Sequence, residues 1–401
     1  RLMASRWQQA VKTHANVRKQ AARSSVTLHD EEILRGTSAS VLLAWFGSRL
    51  RSTTGGIGMQ AEQEAEDEFN NSFQVKELDI FLSHSWHAAW YLKYFTLLFY
   101  FNARPAIVTS LSSAIFCCAV RFVDAKVFRD LSWFLDSQMT QHNSCLAFGS
   151  FSLFVTIFYW QHFLAFWEPT CGPRGPLHVK SLFLDKVCIH QTDAEKKAKG
   201  IKSIGAILGK SNMVLVAWDQ SYFSRLWCTF ELAAYKYARP DSAVVVLPVN
   251  IGGFIATLIF TNFGAQVLVA VLRAMPVFEP LTKNHLAIYM SVYFIVACTC
   301  VGFFRAYVKA LKEMDGQLQQ FSVRGAECFC CKVNHKLPET GAVLPCDRKF
   351  VNASIAHWHG SGAAGSDDGL DKFDNLIRGT FRQDIAQAFR GSRVPYHFVL
   401  L

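Results

Sequence analysis

Three stretches of this chain carry no Asp, Glu, Lys or Arg: Cys145 to Trp167, Ile251 to Leu272 and Leu286 to Phe304. Each is about 20 residues, and at about 1.5 Å per residue a helix of that length crosses a hydrocarbon core of roughly 30 Å. A helix buried in a soluble protein seldom runs so far without a charge. The alternative, a large soluble protein with several buried helices, needs a very large core around them. A fourth stretch, Ala106 to Val120, is shorter, but Arg104 and Arg121 bracket it and can reach toward lipid headgroups.

Composition agrees with a lipid bilayer as partner. The chain is 51% hydrophobic and 18% charged, against about 25% charged residues in soluble proteins. The formal net charge is +10. No basic stripe interleaved with aromatics accompanies it, so the reading is a basic cytoplasmic side and no nucleic acid. Cys117, Cys118, Cys145, Cys298 and Cys300 lie within apolar stretches, where cysteine acts as a small hydrophobe. The 12 cysteines lack the spacing of a disulfide framework, which points to a reducing compartment for the polar part.

Between the apolar stretches the pattern changes to alternating strands and helices. Leu78 to Ser83 is a short, continuous apolar run of the kind buried on both faces of a sheet. A helix is expected over Ala88 to Phe101, then, beyond two apolar stretches, a second strand over His178 to Leu184. Thr192-x-x-Glu195 reads as a capping box opening a helix to about Lys210. Met213 to Trp218 is a third strand, Phe223 to Tyr237 a helix, and Ala243 to Val249 a fourth strand. Such alternation implies a parallel sheet covered by helices.

The sequence therefore divides into a polar, partly helical and partly disordered segment (1–75), two parts of one α/β domain (76–104 and 177–250), two membrane hairpins (105–168 and 251–305), and a C-terminal tail (321–401) with a Gly/Ser linker at Gly360 to Ser366. Because the first hairpin interrupts the α/β domain, it must cross the membrane an even number of times. The short connections hold only Lys126, Arg129, Arg273 and Lys283. The other flanks hold Arg174, Lys180, Lys186, Lys236, Arg239, Arg305, Lys309 and Lys312. The positive-inside rule then puts the α/β domain and both termini in the cytosol.

Ligands of open parallel sheets bind beyond the carboxyl ends of the strands. Here those ends run into Ser83-His84-Ser85-Trp86-His87, into Asp185-Lys186 and the loop to Gln191, and into Asp219 to Tyr222. In the helix that follows, Glu231 lies about one turn in, among apolar neighbours, four residues after Trp227. Such a carboxylate is either an exposed helix charge or a placed functional group.

The strand LDIFLSHSW, with its Phe-x-Ser end, resembles the first motif of Toll/interleukin-1-receptor (TIR) domains. Phe183-Leu184-Asp185-Lys186 and its polar loop resemble the second strand of that family. Ser224-Arg225-Leu226-Trp227-Cys228-Thr229-Phe230-Glu231-Leu232 resembles the Ser-x-x-Trp-Cys-x-x-Glu-Leu stretch of plant-type TIR domains. The match covers about residues 76–104 and 177–250. With spans inside the α/β domain, the arrangement also resembles a group of multi-pass membrane proteins of microbial eukaryotes. The resemblance implies a flavodoxin-like, TIR-like parallel sheet joined to about four membrane spans. It further implies self-association through that domain as a homo-oligomer, and hydrolysis of NAD⁺ at the nicotinamide–ribose bond, with NAD⁺ as substrate and no resident cofactor. On this reading Glu231 is the catalytic carboxylate, Trp227 supports the pocket wall, and Ser83, His84, Ser85, Trp86, Asp185 and Lys186 contact substrate. Two departures stand out: Ala88 and Ala89 occupy positions where many TIR domains carry an acidic residue, and the membrane insertion is not a usual TIR feature.

Two other readings are carried: a TIR-like scaffold without chemistry, and a channel or transporter. Against the last, the three longest apolar stretches carry no Asp, Glu, Lys or Arg, which ion pathways often use. Cys328, Cys330, Cys331, His335 and Cys346 form a weak zinc pattern, because Cys-x-Cys lacks the usual two-residue spacer. His357 and His359 are further candidates to complete that set. His84, His87 and His190 read more simply as loop histidines than as ligands.

Overall fold

A computed structural model describes residues 31–51, 59–123, 141–171, 180–274, 285–336, 341, 343, 346–360 and 368–390. Outside those residues lie the basic N-terminal opening, Thr53 to Gly56, the charges Lys126, Arg129, Arg174 and Lys283, and the linker after Gly360.

The chain forms two compact units. The first comprises residues up to Trp90, Lys180–Pro248 and Ala310–Arg390. Its centre is a six-stranded sheet of β1 (Arg35–Ser38), β2 (Phe73–Gln74), β3 (Leu78–His84), β4 (Ser181–Phe183), β5 (Ser211–Trp218) and β6 (Val244–Pro248), in the order β2-β1-β4-β3-β5-β6. The four strands from β4 to β6 are parallel, with Ile80 opposite Leu182 and Met213, and Leu215 opposite Val245. In β3, Ile80, Phe81, Leu82 and Ser83 are all buried, as the apolar run requires of a strand covered on both faces.

The pairing of β3 with β4 joins residues about a hundred positions apart. Between them, Tyr91–Val179 belongs to the second unit, and the chain then returns to this one. If that segment crosses a bilayer, it does so an even number of times.

The sheet departs from expectation at its edge. Within 1–75, expected as partial helix and disorder, β1 pairs antiparallel with β4 and β2 pairs with β1. Arg35 fixes the pair by donating from Nε to Ser72 Oγ at 2.7 Å. A Cβ at Gly36 would lie 3.0 Å from Leu78 Cδ2, so a larger residue there would require the Leu78 side chain to shift by a few tenths of an ångström. The added strands also cover the edge of β4, a strand of three residues.

In chain order the helices are α1 (Ala39–Gly47), α2 (Met59–Asn70), α3 (Trp90–Val123), α4 (Gln141–Cys171), α5 (Ala194–Lys202), α6 (Ile204–Gly209), α7 (Leu226–Ala238), α8 (Val249–Ala274), α9 (His285–Gln319), α10 (Asp347–His359), α11 (Asp368–Leu376) and α12 (Arg382–Arg390). The cap of α5 is Asp193, which accepts from Glu195 N and Lys196 N, not Thr192 of the expected capping box. The helix expected over Ala88 to Phe101 begins at Trp90 and continues as α3 through the fourth apolar stretch, Pro105 included.

The tail is not a separate body. Its residues to Arg390 belong to the same unit as the sheet. Arg382 on α12 holds Asp315 with two hydrogen bonds of 2.7 and 2.9 Å. Trp358 on α10 packs on Phe230 (5.3 Å between ring centres) and stacks on Tyr237, while His359 Nε2 donates to Ala233 O at 3.2 Å.

The second unit comprises Tyr91–Val179, Val249–Lys309 and the chain after Arg390. Three of the described helices are long and apolar enough to cross a membrane: Trp90–Val120, Val249–Leu268 and Tyr293–Gln319. The stretch 145–167 is one continuous helix, α4, but is not among the three; Gln161 and His162 dilute its apolar character. It lies beside α3, where Gln161 Nε2 donates to Asn102 Oδ1 (2.9 Å), Asn102 Nδ2 to Ile157 O (2.6 Å), and Thr109 pairs with Thr156 (2.8 Å). It also lies beside α8, where Phe154 stacks on Phe263 and Gln266 Nε2 donates to Ser150 Oγ (3.0 Å). Gly252 on α8 presses against α3, and a Cβ there would overlap the Thr96 backbone. Small residues and interhelical hydrogen bonds of this kind hold helices together where water supplies no driving force. The outward residues are large and apolar, among them Leu111, Ile115, Phe116, Phe151, Met290, Phe294 and Phe304. Exposed apolar surface of this extent is compatible with a membrane-facing bundle.

Candidate functional site

The four parallel strands stand in the order β4-β3-β5-β6. From β3 the chain connects to β4 on one side, then passes back to β5 on the other. The connections therefore part at the carboxyl ends of β3 and β5, and that is where such sheets open a crevice.

β3 ends in Ser83 and His84, β5 in Trp218. Four hydroxyls and two carboxyls cluster there. Ser83 is buried, and its Oγ lies 2.7 Å from Tyr222 Oη and 2.5 Å from Glu231 Oε2. With Glu231 ionised, the order is fixed: Tyr222 donates to Ser83, and Ser83 donates to the carboxylate. Two residues along, Ser85 Oγ lies 2.7 Å from Ser221 Oγ, which donates to Asp219 Oδ2 at 2.8 Å.

Glu231 reaches this place because α7 starts at Leu226, just after the turn that ends β5. No side chain caps that start. Instead Leu226 N donates to Glu327 O at 3.1 Å and Glu327 N to Ser224 O at 2.5 Å, so a strand-like piece of the tail satisfies the first turn. Cys228, two residues on, is buried and points its thiol at His84 O (3.7 Å). Burial pushes this thiol well above its ordinary pKa, with Glu231 adding to the effect.

The Glu231 residue retains some solvent exposure, but its carboxyl is withdrawn beneath Ser83. Burial pushes its pKa up to about 8; the Ser83 hydroxyl opposes this, and the nearby Asp185 charge adds to it. At neutral pH the carboxyl is mostly protonated and ready to ionise when a positive charge approaches.

No family model matches this chain. No curated protein and no solved structure matches it either.

The structure thus gathers Ser83 and Glu231 directly and sets Asp185 close enough to act on Glu231 through space. Asp185 opens a one-turn helix after β4, where Oδ2 accepts from Trp86 Nε1 (3.1 Å) and Oδ1 from Lys186 N (2.7 Å). That hydrogen bond ties the loop after β3 to the loop after β4. His84 is buried with its ring edge against Trp86, 4.4 Å between centres. Lys186 turns elsewhere, its Nζ donating to Arg51 O (3.4 Å).

Trp227, expected at the pocket wall, packs toward the tail. Its ring lies against Phe230 and Phe350, and Nε1 donates to Asp347 Oδ2 at 3.4 Å. The i,i+4 spacing from Glu231 predicted one shared face, but α10 covers the Trp227 end of it.

The sequence marks Tyr222 only as part of a strand end, without a role, and gives no signal for Glu66. Tyr222 is placed by the turn after β5, and its hydroxyl completes the chain to Glu231. Glu66, within the acidic run, meets His190 Nε2 at 2.7 Å. Asp193 N donates to Nδ1 of the same ring, so Nε2 carries the proton and donates to Glu66.

The cysteine group of the tail borders the Trp227 end of α7 through Asp347, whose N donates to Cys330 Sγ and whose carboxylate accepts from Trp227 Nε1. Ligand atoms of Cys330, Cys331, His335 and Cys346 all fall within 4.8 Å of one another. His359 is committed to Ala233 O instead.

Proposed function

We propose that this is a membrane-anchored signalling protein whose sheet unit is a flavodoxin-like, TIR-like module, and that it hydrolyses NAD⁺ at the nicotinamide–ribose bond. The observation that carries this reading is the Glu231 carboxyl, held by Ser83 at the switch point of a parallel sheet and raised to about 8. The order of the four parallel strands is that of flavodoxin-like sheets.

The chemistry follows from charge. The C1′–N1 bond of the ribose breaks and its electron pair stays on the nicotinamide nitrogen, which becomes neutral. The leaving group therefore needs no general acid. An oxocarbenium-like ribose remains; water adds to C1′ and releases a proton, giving ADP-ribose and nicotinamide. One carboxylate opposite C1′ stabilises that cation, as in glycoside hydrolysis. The positive nicotinamide ring lowers the Glu231 pKa on binding, so substrate itself generates the active form. Asp219 Oδ1, a buried acceptor without a donor among the described residues, offers a partner for a ribose hydroxyl.

The membrane part is a bundle of four crossings, with α4 as the fourth beside α3 and α8. The basic flanks support a cytosolic side for the sheet unit. Self-association through that unit in the plane of the membrane is the output stage.

The test is nicotinamide release from NAD⁺ by the full chain in detergent or liposomes. Wild type turns over, and Glu231→Ala loses at least a hundredfold. Equal rates for both remove the enzymatic role; crosslinked oligomers from a wild type that shows no turnover leave the scaffold reading.

A further inference from the structure

We infer that the tail holds a zinc ion in a Cys₃His site made by Cys330, Cys331, His335 and Cys346. Cys330 and Cys331 sit on the one-turn helix Phe329–Lys332. The chain then turns through Asn334 (φ 52°) and His335 (φ 57°), two successive non-glycine residues in left-handed backbone. Left-handed backbone is uncommon outside glycine, although Asn and His adopt it more readily than most residues, and here two in succession reverse the chain. The turn is closed by His335 N donating to Cys330 O at 2.7 Å, and it brings His335 Nε2 to 3.7 Å from Cys331 Sγ. Lys336 bridges to Val343, and the returning chain sets Cys346 Sγ 3.9 Å from Cys331 Sγ.

Those distances select among the fates of clustered thiols. A tetrahedral zinc with bonds of about 2.3 Å to sulfur and 2.0–2.1 Å to nitrogen separates two sulfurs by about 3.8 Å, and sulfur from nitrogen by about 3.6 Å. The observed 3.9 and 3.7 Å fall on those edges. A disulfide needs about 2.05 Å between sulfurs, and the Cys331–Cys346 separation is nearly twice that. Three sulfurs and one imidazole favour zinc over magnesium or calcium, which take oxygen ligands. Asp347 N donates to Cys330 Sγ at 3.3 Å, the kind of outer hydrogen bond that steadies a metal thiolate.

Cys328 is not a ligand in this assignment. Its Sγ lies 3.1 Å from Cys330 Sγ, and the alternative group it forms with Cys330 and Asp347 offers only three atoms. The Asp347 carboxylate already receives Trp227 Nε1.

The role of the metal is structural, and its place explains why. Glu327, just before the first ligand, pairs with Ser224 and Leu226 at the start of α7. Asp347, just after the last, meets Trp227 on the same helix. The zinc closes the loop between these two contacts and so clamps the tail onto the helix that carries Glu231.

The test is metal analysis of the full chain purified in detergent under reducing conditions. The expected content is about one zinc per chain, kept by Cys328→Ser and Cys188→Ser. It falls at least fivefold in Cys331→Ser, Cys346→Ser and His335→Ala. Should those variants fold poorly, cobalt replacement in the wild type gives an independent reading: tetrahedral d–d bands with a sulfur charge-transfer band of three-thiolate intensity. A folded wild type without zinc after expression in zinc-supplied medium overturns the assignment. So does zinc retained in all three ligand variants, a cobalt spectrum without thiolate bands, or a Cys331–Cys346 disulfide found by mass spectrometry.

Discussion

Replacing Glu231 by Gln should make the protein more stable, and only above a certain pH. The amide keeps the shape and still accepts the Ser83 hydroxyl bond, but it carries no charge to bury. In the wild type the folded carboxyl is raised from its ordinary 4.5 to about 8, chiefly by burial. Below about pH 4.5 both folded and unfolded chains hold the proton, and stability is at its highest. Between about 4.5 and 8 the unfolded chain has lost its proton while the folded chain keeps it, so stability falls as pH rises. Above 8 both are ionised and the loss is complete. At roughly 1.4 kcal/mol per pH unit the ceiling is about 5 kcal/mol. Glu231 keeps partial contact with solvent, which screens the charge, and about 2–3 kcal/mol is the working figure. For a unit of this size that is roughly 5–10 °C in Tm. The assay is thermal unfolding of both proteins in the same detergent at pH 4.5, 7 and 9. Glu231→Gln should match the wild type at pH 4.5 and exceed it at pH 9. Equal pH profiles, or a variant less stable at pH 9, would refute the buried-carboxyl argument.

Other consequences follow from the same geometry. Because Glu231 is about one-tenth ionised at pH 7 with a pKa near 8, kcat/KM for NAD⁺ should rise about tenfold between pH 7 and 9; a flat profile places the essential group elsewhere. Trp86→Phe removes the hydrogen bond that joins the loops after β3 and β4 through Asp185, and turnover should fall severalfold at unchanged Tm. Gly252→Val forces α8 off the Thr96 backbone and should cost about 1–3 kcal/mol, read as a lower detergent Tm with NAD⁺ turnover per folded protein retained.

The central strands and α7 were legible because their signals are local. A run such as Leu78 to Ser83 has no amphipathic alternative, and α7 follows the turn after β5 directly. The convergence of Ser83, Asp185 and Glu231 on strand ends follows from the rule for parallel sheets, which sequence order alone invokes. What sequence could not supply was set by long-range packing. Arg35-Gly-Thr-Ser is polar and short, and becomes a strand only because β4 offers an open edge. Trp227 turned toward the tail because α10 offers Phe350 and Asp347, contacts 120 positions away. The zinc ligands looked poorly spaced as Cys-x-Cys; the geometry that joins them depends on two left-handed residues, Asn334 and His335, which no spacing rule anticipates.

Everything proposed for the site requires that the loops after β3 and β4 face the same aqueous compartment, although α3 and α4 lie between them in the chain. Glycan acceptor sites inserted beside Glu77 and beside Lys197, one at a time, report which side of a microsomal membrane each position occupies. Neither should be glycosylated, while a control acceptor beside Arg129, in the short connection inside the first hairpin, should be. Modification of one of the two and not the other would break the sheet across the bilayer and end the account.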